Sequence, residues 1–324
     1  MAGPWDRGPR PPRPPQSPRT PVREGAPQGR HRHADADTLS PRDAGTRWQH
    51  SADAPLASHA AHAAHAGSPG RPVRREELRL YGLNAVDAVF RRRPEAIRKV
   101  YLVESRIAAL KPLLAWCVKH RVGYRVVGDE DLERLAASSH HEGVVADVLK
   151  AEPQPLDDWL RALAPGAPAL AIWLDGVGNP HNFGAILRAA AHFGAAVLLP
   201  AESDLALSGA AARVAEGGAE AVPLVRLPRG EAALARLRGA GFVLAATVVR
   251  GGEDLFALSP PARLAYVMGA EGEGMGAALA AACDLRVSIP GSGAVESLNV
   301  ASATAVFLAH WSARNRSAAG SGRP

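Results

Sequence analysis

The chain has 324 residues, 47% of them hydrophobic, so it can hold one large or two medium domains with a sizeable core. Its net charge of +6 favours polyanionic partners, although solvated lysine and arginine side chains would explain the same value. The two cysteines, Cys117 and Cys283, have neither CxxC nor Cys/His spacing, which predicts reduced thiols and no metal site. No apolar run is long enough to span a membrane and the N-terminus lacks the apolar core of a secretory signal, so we expect a cytoplasmic protein.

Residues 1–75 carry repeated Pro-Arg units without hydrophobic periodicity, and we predict a disordered tail. Its arginines suit sequence-independent contacts with RNA phosphates, but an inert solubilising tail explains the composition equally well. Three histidines spaced three residues apart (His59, His62 and His65) have no carboxylate or cysteine beside them, which indicates alanine-rich low complexity rather than a metal site. A second short disordered tail is predicted at residues 317–324.

Residues 76–150 alternate between helical and strand patterns, which predicts a small three-layer α/β domain. The predicted elements are a short helix with apolar residues from Leu80 to Phe90 that opens on Gly82 and Asn84, a strand at 99–103, a helix at 107–120, a strand at 124–127, a helix at 129–137 and a strand at 144–149. A polar loop before the last strand contains His141 and Glu142. We interpret it as a surface that faces RNA, with a plain surface turn as the alternative. His140 precedes His141 directly. Adjacent side chains on an extended segment point to opposite sides, so the two histidines do not suit a shared metal ion.

Residues 151–168 are predicted to be a linker with one short helix, followed by a second domain at 169–316. Its strands are continuous apolar runs separated by helices, which predicts a parallel sheet covered on both faces. The predicted strands are 169–174, 196–199, 222–225, 242–248, 263–268 and 285–289, and the predicted helices are 184–192, 208–215, 231–238, 276–282 and 297–313. Ligands on such sheets bind beyond the carboxyl ends of the strands, so the loops there are the candidate site.

The first of these loops leads from residue 174 to a predicted helix, with Asn182 just before the helix and Arg188 inside it. Arg188 sits on an otherwise apolar helix, where a guanidinium needs anionic or carbonyl partners. As alternatives, Arg188 could be an ordinary surface charge and Asn182 could be the N-cap of the helix. Each alternative accounts for one residue, but neither accounts for the two residues together in a glycine-rich loop.

The second and third loops, residues 267–276 and 289–304, are rich in glycine and could approach a ligand closely through their backbone. The only charges of the second loop are Glu271 and Glu273, which disfavour a nucleoside triphosphate and tolerate a neutral or cationic ligand. In the third loop, Ser297 and Asn299 place small polar groups where a helix is predicted to begin. No GxGxxG or GxxxxGK[ST] spacing is present, which disfavours a Rossmann oxidoreductase or a P-loop enzyme.

Together the three loops resemble the motifs of the SpoU (TrmH) family of RNA ribose 2′-O-methyltransferases, part of the SPOUT superfamily. The segments that carry the resemblance are Asn182 to Arg188, Met268 to Met275, and Ile289-Pro290 followed by Ser297 to Val300. Residues 81–86 and 141–146 resemble the L30e-type RNA-binding domain that precedes many members of the family.

The resemblance implies an α/β fold with a C-terminal trefoil knot, a homodimer, ribosomal or transfer RNA as substrate and S-adenosylmethionine as cofactor. The residues that it places against the cofactor are Met268, Gly269, Ala270, Gly272, Gly274, Ile289, Pro290, Gly291, Ser297 and Leu298. The residues that it places among the catalytic groups are Asn182, Arg188, Glu271, Ser297 and Asn299. A guanidinium is a poor base because its pKa exceeds about 12, so phosphate binding and orientation of the 2′-hydroxyl is the physically safer role for Arg188.

Two positions depart from the family pattern. Gly291 stands where many relatives have methionine, and Glu142 stands where relatives often have glutamine. Neither change removes a catalytic group. The alternative function is a catalytically weak or inactive relative that acts as an RNA-binding or ribosome assembly factor. The residues that argue against it are Asn182, Arg188, Ser297 and Asn299.

Overall fold

The computed structural model describes residues 76–270, 272 and 274–320, with side chains to residue 315. The predictions for residues 1–75 and 321–324, and for Glu271 and Glu273, lie outside the described residues. Among the helices that are described, none combines the length and the apolar character that crossing a membrane requires.

The first part of the described chain forms a four-stranded mixed sheet in the order β1-β4-β2-β3, in which β4 is antiparallel to both neighbours and β3 is parallel to β2. The strands are β1 (Glu77–Tyr81), β2 (Ile97–Leu102), β3 (Gly123–Val126) and β4 (Val144–Leu149). The helices are α1 (Leu83–Arg92), α2 (Lys111–His120) and α3 (Asp129–Ala136). Side chains of β4 alternate between the two faces, so that Val144 and Ala146 join the core with α1 and α2 while Val145 packs with Leu132 of α3.

Strand β1 was not predicted, and it contains Leu80 and Tyr81, which were assigned to the first helix. Leu78 and Leu80 alternate with charged residues, which is a strand period, and they pair with Val148 and Ala146 of β4. Gly82 follows with a φ of 94°, and helix α1 begins only after it. Helix α2 likewise begins at Lys111, later than predicted, behind a short turn of 3₁₀ helix at Glu104–Arg106.

The second part forms an eight-stranded sheet in the order β10-β12-β9-β11-β6-β7-β8-β5, and every pairing in it is parallel. The predicted parallel α/β sheet is therefore confirmed. Its strands are β5 (Gln154–Pro155), β6 (Ala169–Leu174), β7 (Ala196–Leu199), β8 (Leu224–Arg226), β9 (Val243–Thr247), β10 (Glu253–Asp254), β11 (Arg263–Met268) and β12 (Leu285–Ser288). The helices are α4 (Leu156–Ala162), α5 (Pro180–Phe193), α6 (Gly209–Val214), α7 (Gly218–Ala221), α8 (Ala232–Gly239), α9 (Ala277–Ala282) and α10 (Val300–Gly320).

Strand β6 shows why the central strands are apolar throughout. All six of its residues are buried, because Leu170, Ile172 and Leu174 face the core that contains α5 and α10. Its alternate side chains, including Trp173, face a second core with α4 and α8. A parallel strand covered on both faces needs an apolar side chain at every position.

Several boundaries of the larger sheet differ from the prediction. Strand β5 lies within the predicted linker and forms an edge of the sheet beside β8, and the two-residue strand β10 and the short helix α7 were not predicted. Helix α5 begins at Pro180 rather than residue 184. Helix α10 spans Val300–Gly320 rather than 297–313, so residues 317–320 belong to a helix and not to the predicted C-terminal tail. Short polar edge strands bury little apolar surface and so leave little hydrophobic pattern to detect.

Helices α6 and α7 hold the smaller sheet against the larger one. A Cβ atom on Gly209 at the start of α6 would lie 2.5 Å from the backbone oxygen of Arg79 in β1, so this contact requires glycine. Arg93, which follows α1, donates two hydrogen bonds to the largely buried carboxylate of Glu220 in α7, at 2.6 and 2.8 Å. Bidentate pairing of this kind fixes orientation as well as distance.

We expect Tyr266→Phe to raise the free energy of unfolding by about 1 kcal/mol. Tyr266 of β11 is fully buried, and its hydroxyl has no hydrogen-bond partner among residues 76–315 that the structure describes. Burial also raises the pKa of this tyrosine. Phenylalanine at this position avoids the free-energy cost of burying an unpaired hydroxyl, and its ring keeps the contact with Phe307. Urea denaturation measures the change in the free energy of unfolding, and Tyr124→Phe at an exposed position is the neutral control. A Tyr266→Phe protein that is less stable than the natural one would show that the hydroxyl has a hydrogen-bond partner.

Candidate active site

The loops that follow β6, β11 and β12 lie at one edge of the larger sheet. Strands β12, β9, β11 and β6 are successive parallel neighbours, so their carboxyl ends point the same way. The three loops singled out by the sequence therefore meet, and the loop after β9 joins them.

A cavity of about 510 Å³ opens between the loops that follow β9, β11 and β12. Most of the predicted cofactor residues line it: Met268, Gly269, Ala270, Gly272, Gly274, Ile289, Ser297 and Leu298. Pro290 and Gly291 do not line it and are exposed. The prediction missed the segment Thr247 to Val249, which contributes a further wall. The strand-end rule that selected the other loops applies equally to β9 and would have found it.

The second loop is held by a close backbone contact. Ala270 and Gly274 exchange two N–H···O=C bonds of 2.9 and 3.0 Å, and Gly272 and Gly274 have φ values of 90° and 77°. A Cβ atom on Gly269 would lie 2.5 Å from the carbonyl carbon of Gly274, so this position admits only glycine. The carboxylate of Asp175 in the first loop accepts a 3.0 Å hydrogen bond from the backbone N–H of Gly276, which ties the two loops together.

Asn182 and Asn299 join the first and third loops, although 117 residues separate them. The Nδ2 group of Asn299 donates a hydrogen bond of 3.0 Å to Oδ1 of Asn182. Oδ1 of Asn299 also accepts from the backbone of Ala301 at 3.0 Å and so caps α10. Ser297 lies before this cap, on the cavity wall, and does not begin the helix.

The alternative reading of Asn182 as an N-cap is wrong. Asn179 caps α5 by accepting hydrogen bonds from the backbone N–H groups of His181 and Asn182, at 2.8 and 3.3 Å. Asn182 lies in the first turn of the helix rather than before it. Its side chain is therefore available to the third loop.

Arg188 lies apart from the residues that the structure brings together at this cavity. Six residues of helix separate it from Asn182, which corresponds to about 9 Å along the axis and about 120° around it. Arg188 is exposed and lines a second cavity of about 360 Å³ on the outer face of α5. It makes no hydrogen bond or ion pair with any residue that the structure describes.

Comparison with known proteins identifies the family of the chain. The model of the SpoU rRNA Methylase family matches residues 169–309, and the model for RNA 2'-O ribose methyltransferase substrate binding matches residues 79–154. The chain is 36% identical over 232 residues to the 23S rRNA (guanosine-2'-O-)-methyltransferase RlmB of Haemophilus influenzae, covering 71% of this chain and 94% of that protein. The chain belongs to the SpoU rRNA methylase family. It is also 37% identical over 243 residues to the uncharacterized tRNA/rRNA methyltransferase YfiF of Escherichia coli O157:H7, covering 75% of this chain and 70% of the relative.

Solved SpoU structures share the fold. The SpoU methyltransferase AviRb from Streptomyces viridochromogenes, in complex with AdoMet, aligns with a TM-score of 0.63 at 23% identity, over 76% of this chain and 95% of that one. The AdoMet-bound rRNA methyltransferase from Sinorhizobium meliloti aligns with a TM-score of 0.61 at 23% identity, over 72% and 86% of the two chains. The resemblance drawn from the three motifs is confirmed.

The larger cavity suits S-adenosylmethionine (AdoMet), the cofactor of the SpoU family. Apolar side chains such as Val249, Leu298 and Phe307 alternate with glycine backbone along its walls, and Glu296 supplies a carboxylate. None of the described residues that line it is basic. This lining disfavours a polyphosphate and fits an adenosine group joined to a cationic sulfonium.

The loop that was predicted to face RNA is engaged inside the protein. His141 is only 3% exposed, and its Nδ1 accepts a hydrogen bond of 3.1 Å from the backbone of Gly143. Glu142 accepts hydrogen bonds from Arg213 of α6 at 2.5 Å and from the backbone of Leu83 at 2.8 Å. These contacts inside the protein account for both residues without RNA.

Three potential metal ligands lie close together at the same place. The carboxylates of Asp129 and Glu133 and one ring nitrogen of His141 lie within 4.8 Å of one another. Nδ1 of His141 accepts the backbone hydrogen bond of Gly143, and Nε2 lies 3.8 Å from a carboxylate oxygen of Asp129. Both carboxylates are exposed, and the arrangement is explained by a histidine–carboxylate contact.

Proposed function

We propose that this SpoU protein transfers the methyl group of S-adenosylmethionine to a ribose 2′-hydroxyl of structured ribosomal or transfer RNA. The observation that carries the proposal is the cavity lined by the second and third motifs, with Asn182 of the first motif hydrogen-bonded to Asn299 of its wall. The names of the relatives support it, because RlmB of Haemophilus influenzae acts on guanosine in 23S rRNA.

Backbone groups of the second and third loops would hold the cofactor, beside the side chains of Met268 and Leu298 that line the same cavity. When bound, S-adenosylmethionine supplies an electrophilic methyl group on a sulfonium. Ser297, Asn299 and Asn182 would orient the ribose at the cavity mouth, since an in-line displacement needs a positioned oxygen. Glu271 belongs to the same proposed set, although it lies outside the described residues.

Arg188 would bind a phosphate of the substrate and orient the 2′-hydroxyl. Its guanidinium stays protonated because its pKa exceeds about 12, and it presents five donors that match phosphate oxygens. Its exposure and its freedom from described partners leave those donors available.

A homodimer is part of the proposal, because Arg188 does not line the cofactor cavity of its own chain. The third loop is exposed from residue 290 to 299, and Val295 and Leu298 are 72% and 48% exposed. Exposed apolar side chains beside a polar site favour coverage by another protein surface. A second copy would bring its own Arg188 to this cavity.

The family match also supports three finer parts of the proposal. We infer a trefoil knot in the larger domain, an L30e-like character for the smaller domain, and a role for the smaller domain in binding RNA substrate. The match of residues 79–154 to a substrate-binding model supports the last of these. A cytoplasmic location agrees with an RNA substrate of this kind and stays a prediction, as does the disordered tail.

Calorimetric titration with S-adenosylmethionine tests the function first. We expect saturable heat for the natural protein, and loss of that heat for Ala303→Phe, because Ala303 lines the cavity and the new ring would fill it. Ala235→Phe, on an exposed position of α8, is the matched control. Absence of heat from the natural protein would favour the inactive assembly factor. Mapping 2′-O-methyl sites in total RNA from a deletion strain would then identify the missing site.

A further inference from the structure

Two helix-to-strand connections of the smaller domain lie at the same end of its sheet. Helix α1 leads into β2 through residues 93–96, and α2 leads into β3 through residues 121–122. Because β2 and β3 are parallel neighbours, with Lys99 opposite Gly123, the two connections lie side by side. The rings of Phe90 in α1 and Trp116 in α2 have centroids 6.2 Å apart, which shows that the ends of the two helices also meet.

This end of the smaller domain is strongly basic. Residues 90–125 contain ten lysine and arginine residues and only two acidic ones, Glu95 and Glu104, and Glu104 follows the far end of β2. The exposed basic residues at the two helix ends and the strand starts beside them are Arg91, Arg92, Arg98, Lys99, Lys119 and Arg121. Among these six, only Arg91 forms an ion pair with a residue that the structure describes, Asp87 at 2.6 Å. Cations that are crowded without acidic partners favour binding of a polyanion.

The helix dipole explains only part of this charge. Cations in the last turn of a helix are stabilised by the dipole, which accounts for Arg92 and Lys119. Arg121 lies beyond α2 with a φ of 59°, in the left-handed conformation that glycine usually occupies at the end of a helix. Arginine at this position is strained, and strain of this kind points to a role in function rather than in stability.

Aromatic rings lie among these cations. His120 and Trp116, one turn apart on α2, stack with ring centroids 4.6 Å apart and an interplanar angle of 20°. His120 is exposed, whereas Trp116 and Phe90 are only partly exposed. The indole therefore supports the imidazole ring from within. An exposed ring that is held flat between basic side chains is suited to stack on an unpaired base whose phosphates the cations hold.

Six residues form the surface at these helix ends, which we call the α1–α2 surface: Phe90, Arg92, Trp116, Lys119, His120 and Arg121. We propose that the α1–α2 surface binds a segment of the RNA substrate outside the methylated nucleotide. His120 stacks on an unpaired base, and Arg92, Lys119 and Arg121 hold neighbouring phosphates. The inference rests on the proposed function and names the part of the smaller domain that meets the RNA.

The α1–α2 surface is separate from the sites described above. None of its residues lines the cofactor cavity. It also lies at the opposite end of the smaller sheet from the loop of His141 and Glu142, because that loop leads into β4 at Val144, which pairs with Leu102 at the far end of β2. An acidic protein is the other partner that this charge could attract, and the experiment separates it from RNA.

Three changes to the full-length protein test the α1–α2 surface. The double variant Arg92→Ala/Lys119→Ala removes two cations, His120→Ala removes the stacking ring, and Arg121→Gly removes a cation while relieving the strained φ. Arg161→Ala/Arg229→Ala, at exposed positions of the larger domain, is the control with the same loss of charge. His120→Tyr keeps an aromatic ring.

The probe is bulk ribosomal and transfer RNA from a strain that lacks the gene. Filter binding at several salt concentrations gives the RNA Kd and its salt dependence, and tritiated S-adenosylmethionine gives KM and kcat. Thermal unfolding followed by circular dichroism reports the stability of each variant.

We expect the double variant to raise the Kd and KM for RNA by about tenfold or more and to lower the slope of log Kd against log salt by about 2, one for each phosphate contact. His120→Ala should raise the Kd by about tenfold, the loss of one stacked base, without changing the slope, and His120→Tyr should bind normally. Arg121→Gly should weaken RNA binding and yet raise the melting temperature, since glycine adopts a positive φ without strain. The kcat at saturating RNA and the cofactor affinity should stay unchanged.

Unchanged Kd and salt slope in the double variant and in Arg121→Gly would overturn the proposal and favour a protein partner. An equal loss in the control double variant would overturn it too, because the effect would then come from net charge alone. If the natural protein binds RNA through the α1–α2 surface but methylates none, the surface stands and the proposed function fails. Normal methylation with an unchanged KM in all the variants would have the reverse meaning, and a natural protein that does not bind these RNAs would overturn both.

Discussion

Replacing Arg188 with alanine is expected to lower kcat for RNA methylation by at least about a hundredfold, the usual loss when one preorganised donor is removed from a reaction centre. The guanidinium would no longer hold the substrate phosphate, so the 2′-hydroxyl would lose its orientation towards the methyl group. Binding of S-adenosylmethionine should not change, because Arg188 lies outside the cofactor cavity. Transfer of tritiated methyl groups to RNA measures the rate, and calorimetry measures cofactor binding.

The fold of Arg188→Ala should also be unchanged. Arg188 is exposed and has no hydrogen bond or ion pair in the part of the chain that the structure describes, so its removal should change the free energy of unfolding by less than about 0.5 kcal/mol. Arg161→Ala is the matched control, since the exposed Arg161 contacts only its own helix α4, through an ion pair with Asp158 and a hydrogen bond to the backbone oxygen of Asp157. Near-normal methylation by Arg188→Ala would refute the assigned role.

A mixing experiment extends this prediction to the homodimer. If Arg188 of one copy serves the cofactor cavity of another, Arg188→Ala and Asn299→Ala proteins, each inactive alone, should regain activity when refolded together. A mixed dimer would contain one site with both groups intact. No recovery in a mixture shown to contain mixed dimers would confine each Arg188 to its own chain.

Gly184→Ala is expected to destabilise the protein by about 2 kcal/mol, which makes it the larger of the two stability effects predicted for this chain. Gly184 is buried in α5, where a Cβ atom would lie 2.5 Å from the backbone oxygen of Ala211 and 2.8 Å from Cβ of Val214. Alanine would favour the helix by about 1 kcal/mol, but overpacking against a backbone costs up to about 3 kcal/mol. The clash outweighs the gain because α6 cannot rotate its backbone away as a side chain could.

Gly239→Ala provides the matched control for this change. Gly239 ends helix α8, and a Cβ atom there would meet nothing within 4 Å. Its replacement should leave the melting temperature unchanged or raise it. Thermal unfolding followed by circular dichroism compares the two proteins. A Gly184→Ala protein as stable as the natural one would mean that α5 and α6 separate at little cost.

The buried strands were predictable because burial on both faces leaves a continuous apolar run. The predicted bounds at 144–149, 169–174, 196–199 and 263–268 agree with strands β4, β6, β7 and β11. Strand β1 was not predicted because its apolar residues are followed directly by those of α1. Only Gly82, with its positive φ, separates the two elements. The start of α5 was misplaced because Asn179 and Pro180 form its cap, whereas the glycines around them resembled a longer loop.

Only part of the candidate site was predictable from the sequence. The three motifs identified the residue types and the cofactor, but Thr247 to Val249 carry no glycine signature and were found only from the cavity that they line. His141 and Glu142 looked like surface residues because the sequence contains no sign of the partner Arg213, which lies 71 residues beyond Glu142. Arg188 and Asn182 lie close in sequence and were predicted to act together, yet the helix turns them to different sides.

By itself the sequence determined the parallel α/β class, the three loops and the family, because apolar runs and short motifs are local properties of a chain. Tertiary structure decided which of those residues meet. The hydrogen bond from Asn299 to Asn182 depends on parallel strands that carry distant segments to one edge of a sheet. The turn of Glu142 towards Arg213 depends on α6 packing against β1, and the position of Arg188 in a separate cleft depends on the rotation of α5. Contacts between segments far apart in sequence follow from packing, which no local pattern records.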